Sequence, residues 1–145
     1  MRASYHVAVS VAISGALLAT CHSAVLSAAV VIGGVLIDVD HAAEYLFIAK
    51  KPLSLRRFFA TFYEGRLERV HIFLHSWELL IVLSTVTILT GWNSFLTGLL
   101  IGMSCHLLLD QLCNRPCPLG YFLAYRALKG FSYRLIFPHG GIHGR

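Results

Sequence analysis

The sequence predicts an all-α polytopic membrane protein with about four transmembrane helices in two hairpins, and three observations predict it. Residues 3–37 and 79–109 contain no Asp, Glu, Lys or Arg, and a spanning helix needs about 20 apolar residues. Of the 145 residues, 13% are charged and 57% hydrophobic, where soluble domains carry about 25% charged residues. The mean hydropathy is +0.69. The basic residues fall in three blocks: Arg2; then Lys50, Lys51, Arg56, Arg57, Arg66 and Arg69; then Arg115, Arg126, Lys129, Arg134 and Arg145.

That distribution sets an orientation. The breaks at 21–23 and 91–94 carry no Lys or Arg, so the positive-inside rule puts them outside and puts both termini and the central loop in the cytoplasm. The expected location is the inner (plasma) membrane, with residues 1–145 forming one integral-membrane domain. The net charge of +5 is accounted for by this anchoring, and no nucleic-acid partner is expected. Of Cys21, Cys105, Cys113 and Cys117, three fall on the cytoplasmic side, where free thiols are the rule.

Membrane segments are expected at about 5–20, 24–37, 71–90 and 95–112. Cys21, His22 and Ser23 turn the first hairpin, and "GWNS" with Trp92 turns the second. Residues 42–70 form a cytoplasmic loop. Its stretch "LSLRRFFATFYEGRLERV" mixes arginines with Phe58, Phe59, Phe62 and Tyr63, as a helix lying among lipid headgroups does. The prolines of "CNRPCPLG" break the last helix, and residues 113–145 form a cytoplasmic tail with an aromatic, basic segment.

In this topology three segment ends meet at one membrane face. Segment two ends with Asp38, Asp40 and His41; segment three begins with His71, His75 and Glu78; segment four ends with His106 and Asp110. All three Asp residues of the chain lie in this set. His71 and His75 share a helix face at i, i+4, as do His106 and Asp110. The second stripe extends back through Gly102 and Gly98, a small-residue face that lets another helix come close. Asp40 joins the same side if the helix ends near Ile37 and the chain becomes extended. Carboxylates so crowded repel one another, and a divalent cation removes that conflict. Imidazole plus carboxylate suits zinc, with manganese or iron as alternatives. The number of candidate ligands suggests one or two ions.

The same residues resemble the YdjM-like family of membrane-bound metal-dependent hydrolases. His6 in "SYHVAV" corresponds to that family's early histidine. "LIDVDH" at 36–41 corresponds to a Leu-Pro-Asp-x-Asp-His block, with Ile37 at the proline position. "HIFLHS" at 71–76 corresponds to a His-Arg-Gly-x-Thr-His-Ser block, with one residue fewer between the histidines and no Arg-Gly. "SCHLLLD" at 104–110 corresponds to Ser-His-x-x-x-Asp, with Cys105 inserted. The resemblance covers residues from about 4 to 120, and adds His6 to the metal set if segment one starts at the same face.

The expected function is metal-dependent hydrolysis at the cytoplasmic membrane face. Asp38, Asp40, His41, His71, His75, His106, Asp110 and His6 would hold the metal, with Asp40 or Glu78 moving a proton. Arg69 and Arg115 are candidates for an anionic substrate group. A site at headgroup level points to a membrane lipid, as a phosphoester or other headgroup ester. The alternatives are a metal-binding or transport protein, whose site would lie at the bilayer midplane, and a catalytically degenerate scaffold.

Overall fold

A computed structural model of the chain describes residues 3–48, 54 and 68–138. Within them the fold is all-helical. The only extended pairing among the described residues is an isolated antiparallel bridge between Arg69 and Ser132. The expected headgroup-layer helix, with its Phe58, Phe59, Phe62 and Tyr63, lies outside the described residues.

Helix α1 spans Ala3–Cys21 and α2 spans Ala24–Val35. Between them His22 takes a left-handed backbone (φ 53°), and the Ser23 side chain caps α2 by accepting from the Leu26 amide at 3.2 Å. The second hairpin pairs α4, Trp77–Leu89, with α5, Ser94–Asn114. Its turn uses Gly91 and Trp92 at φ 67° and 59°, and Asn93 caps α5 by accepting from Phe95 and Leu96. At 1.5 Å per residue, α1 and α5 are about 28 and 32 Å long, and α4 about 20 Å. Three stretches, Ser4–Cys21, Ala24–Leu46 and Ser94–Asn114, are long and apolar enough to cross a bilayer; α4 is shorter. Lipid-facing character is plain on their outer surfaces, where Val7, Val11, Val25, Ile32, Ile81, Val82 and Leu112 are exposed. Hydroxyls on α4 stay satisfied without water: Thr85 and Thr90 donate to the carbonyls of Ile81 and Val86, as a bilayer demands.

Two segments run differently from the sequence expectation. The second does not end at Ile37. It tightens into a 3-10 turn at Leu36–Asp38, resumes as a short α3 at Val39–Ala43, and widens into a π turn at Glu44–Ile48. No glycine or proline lies between Ile37 and Ile48 to stop it, and its polar side chains find partners inside the fold, so the helix persists past the apolar run. The third does not begin at His71. Ser76 caps α4 by accepting from the Leu79 amide at 3.3 Å, so residues 70–75 are a non-helical approach and His71 and His75 share no helix face.

The bundle is organised around α2 and α5, with α1 against α2 and α4 against α5. Glycines set the spacing, as the Gly98–Gly102 stripe predicts. A Cβ on Gly102 would collide with the Val30 carbonyl and the Gly34 amide, and one on Gly98 with the Leu26 carbonyl. The C-terminal segment, with short helices α6 (Leu123–Leu128) and α7 (Tyr133–Ile136), folds back over residues 68–78. Val70 donates to Phe131, Trp77 to Tyr121, and Tyr133 to Glu68 through their backbones. Ile37, Val70, Ile72, Leu107, Tyr121, Ile136 and Phe137 form the core there.

Substituting Gly102→Val forces α2 and α5 apart and should destabilise the bundle by about 2–3 kcal/mol. Gly15→Val, at a position where a Cβ meets nothing within 4 Å, should be near neutral. Thermal unfolding of the two variants in one detergent checks the difference.

Candidate metal centre

Both hairpins turn at the same end of the bundle, so their other ends meet. There α1 supplies His6, the continuation of α2 supplies Asp38, Asp40 and His41, the approach to α4 supplies His75, and α5 supplies His106 and Asp110. Local geometry explains each placement. Asp38 stands at the N-cap of the short α3, and the i, i+3 spacing brings it beside His41 while Asp40, two residues on from Asp38, points to another face. Continuous α-helix keeps His106 and Asp110 together at i, i+4. Ser10, one turn beyond His6, packs where a Cβ on Gly34 would otherwise sit, which draws α1 onto α2.

The resulting donors converge. His75 Nε2 lies 3.2 Å from His106 Nε2. Asp38 Oδ1 is 3.5 Å from each of these nitrogens, and Asp110 Oδ2 is 3.8 Å from His75 Nε2 and 3.7 Å from His106 Nε2. His6 Nε2 is 3.1 Å from Asp110 Oδ1, and its ring stacks on that of His106 with centroids 3.7 Å apart. His41 Nε2 is 3.8 Å from Asp38 Oδ1. Two adjoining sets therefore have the spacing to hold a metal ion: His6, His106 and Asp110, and Asp38, His41 and His75. The side chains of His75, His106 and Asp110 are 0–5% exposed, whereas those of Asp38 and His41 are 30% and 26% exposed. The cluster thus opens on the Asp38–His41 side.

The residues fit a divalent cation. His106 Nδ1–H donates to the Gly34 carbonyl at 2.8 Å. A carbonyl cannot donate, so the His106 Nε2 lone pair is the one aimed into the cluster, the arrangement by which metal-ligating histidines are oriented. Bond lengths of about 2.0–2.1 Å place the donors of a tetrahedral zinc site about 3.3 Å apart. The five separations among His75, His106, Asp38 and Asp110 run from 3.2 to 3.8 Å.

Around this cluster other groups hold the backbone. Asp40 Oδ2 accepts from the amides of Leu74 and His75 and lies 3.6 Å from His75 Nδ1, so it supports the His75 loop. Burial disfavours charge on His75, but the Asp38 and Asp40 carboxylates that accept from its imidazolium and the charge of Asp110 outweigh it, and its pKa is pushed up to about 9.

The remaining sequence candidates lie elsewhere. His71 donates its backbone amide to Glu44 Oε1 at 2.6 Å, its Nδ1 is 3.2 Å from the same oxygen, and its ring rests on Phe131. Glu78 accepts from the amides of Leu123 and Ala124 at 2.9 and 3.0 Å, which caps α6 and leaves it outside both metal sets. Arg69 and Arg115 are exposed; Arg69 joins the bridge to Ser132 and Arg115 ends α5 in a left-handed conformation. Three polar residues that the sequence did not single out are buried here: Glu44, Tyr121 and Arg126.

The fold and the cluster define a polytopic helical membrane protein with a His/Asp centre at one end of its bundle. The chain belongs to the YdjM inner membrane protein family, whose model matches residues 1–133. Neither a curated protein nor a solved structure matches it.

A metal ion bound through His75 would have to displace a proton from it. Below its pKa of about 9, the protonated imidazole dominates, so apparent affinity should rise with pH by up to about ten-fold per unit and level off near pH 9. Zinc titration of the purified protein against a competing chelator between pH 6.5 and 9.5 checks this.

Proposed function

We propose that this protein is a metal-dependent hydrolase of the cytoplasmic membrane face, acting on a phosphoester or other ester of a lipid headgroup. The observation that carries the reading is the convergence of His75, His106, Asp38 and Asp110 at metal-ligand spacing. Ionisable groups within membrane helices are costly and mark function or mutual pairing. Here imidazoles and carboxylates from four segments are gathered within ligand distance of one another.

His75, His106, Asp38 and Asp110 would hold one divalent ion, zinc before manganese or iron, with His6 and His41 extending the set toward a second. Such an ion, when bound, supplies Lewis acidity and lowers the pKa of a coordinated water toward neutrality. The proton-moving role expected of Asp40 or Glu78 finds no support in the geometry, since both of those carboxylates are engaged with backbone amides and hold the chain around the cluster. The open edge of the cluster favours a lipid. Leu36 and Val39, two residues before and one after Asp38, are 59% and 57% exposed, so an amphiphile can lay its chains along them while its headgroup reaches Asp38 and His41. Arg69 and Arg115, both exposed, remain available to an anionic headgroup at the membrane surface. A transport site would belong near the middle of the helices, and this cluster lies at their ends.

Elemental analysis of the detergent-purified chain should find at least one zinc-class ion per molecule, and trace metal in the His106→Ala, Asp110→Ala double variant. Wild type incubated with phosphatidylglycerol and phosphatidylethanolamine vesicles should release phosphate or fatty acid, and the double variant should release at least 100-fold less (about 2.7 kcal/mol in the barrier). Equal trace metal in both proteins rejects the metal centre. Stoichiometric metal without turnover leaves a metal-binding protein and rejects the hydrolase.

A further inference from the structure

The segment that folds back over residues 68–78 carries a guanidinium with no exposed surface. Arg126 is 0% exposed, on a six-residue helix in an aromatic stretch. Burying a guanidinium is costly unless its donors are matched. Its Nη1 donates to the Ile72 carbonyl at 2.5 Å and its Nη2 to the His75 carbonyl at 2.9 Å. These two carbonyls bracket the bend at Phe73–Leu74 that brings His75 into the cluster. From the other side Asp40 accepts from the amides of Leu74 and His75. The bend therefore has its carbonyls held by a cation and its amides held by an anion. Neighbouring Tyr121, 1% exposed, is hydrogen-bonded to Asp110 and accepts from Asn114 Nδ2 at 3.0 Å. With its oxygen accepting from Asn114, the phenol directs its hydroxyl hydrogen to the carboxylate, which can only accept.

We infer that Arg126 and Tyr121 are positioning residues of the metal centre: the forked guanidinium sets the backbone from which His75 projects, and the phenol sets the carboxylate of Asp110. The inference rests on the proposed metal centre and deepens it, because it places the completion of the ligand set in residues beyond the last bundle helix. Neither residue touches the metal sets as a ligand. An arginine is required because two carbonyls must be met at once by a planar donor pair, which the single ammonium of lysine cannot do.

Cobalt(II) added to the full-length, metal-stripped chain in detergent tests this, since its visible bands report ligand geometry directly. Wild type should bind Co2+ with intense d–d absorption. Arg126→Gln and Arg126→Lys should each bind about 10–100-fold more weakly and with shifted bands, Lys the less affected because it retains a donor for one carbonyl. Tyr121→Phe, which removes one oxygen and leaves the packing, should keep its helical circular dichroism and still lose several-fold in affinity. Leu128→Ala, at an 85% exposed position on the same short helix, should behave as wild type. A folded Arg126 variant with wild-type affinity and spectrum overturns the role of Arg126, and an unchanged Tyr121→Phe overturns that of Tyr121. If neither Arg126 variant folds, Tyr121→Phe decides whether the C-terminal segment positions the centre. Wild type that shows no cobalt bands sinks the metal centre itself, a failure distinct from that of the variants.

Discussion

The close approach of α2 and α5 is the constraint on which the rest depends. Val30, Gly33 and Gly34 on one helix face Gly98, Leu99 and Gly102 on the other so tightly that a Cβ at any of the four glycines would strike the opposing helix or, at Gly34, Ser10 on α1. In lipid there is little hydrophobic gain from helix association, so packing and interhelical polar contacts must supply it. The same proximity brings the Gly34 carbonyl within reach of His106 Nδ1. One glycine thus serves twice: its missing side chain admits α1 and α5, and its carbonyl selects the tautomer that aims His106 Nε2 into the cluster.

The carboxylates divide by what they face. Asp38 and Asp110 face imidazoles and stand at ligand spacing from them. Asp40 and Glu44, on successive turns of the continued second segment, face backbone amides of Leu74, His75 and His71. That segment is therefore two-sided, with one stripe presenting donors to the cluster and the other tethering the approach to α4. Its change from 3-10 to α to π pitch is what gives acidic residues so close in sequence these separate tasks.

The parts of this arrangement that follow a helix were legible in the sequence, and the parts that depend on distant pairing were not. The Gly98–Gly102–His106–Asp110 stripe could be read because an uninterrupted helix fixes i, i+4 geometry. The membrane character could be read from the uncharged runs, and the family resemblance from four short blocks. His71 and His75 had the same spacing, yet Ser76 ahead of an apolar run with Glu78 in its first turn is a helix-start signature, and it puts both histidines before the helix. Asp38 and His41 lay together in the sequence, but their shared face comes from helix that continues past the apolar run, where an extended chain was expected. Glu44 and Arg126 were hidden for another reason. Their partners are 27 and 51–54 residues away, and basic charge beyond the last bundle helix reads first as a signal of membrane orientation.

The backward fold of the C-terminal segment has a consequence for biosynthesis. Residues 121–133 hydrogen-bond to residues 68–78, so a chain leaving the ribosome has both hairpins available before it has the piece that secures His75. Insertion of the two hairpins and fixing of the His75 bend are thereby separated in time. A nascent chain stalled after α5 would hold an unfinished cluster, which residues 121–133 complete once they emerge.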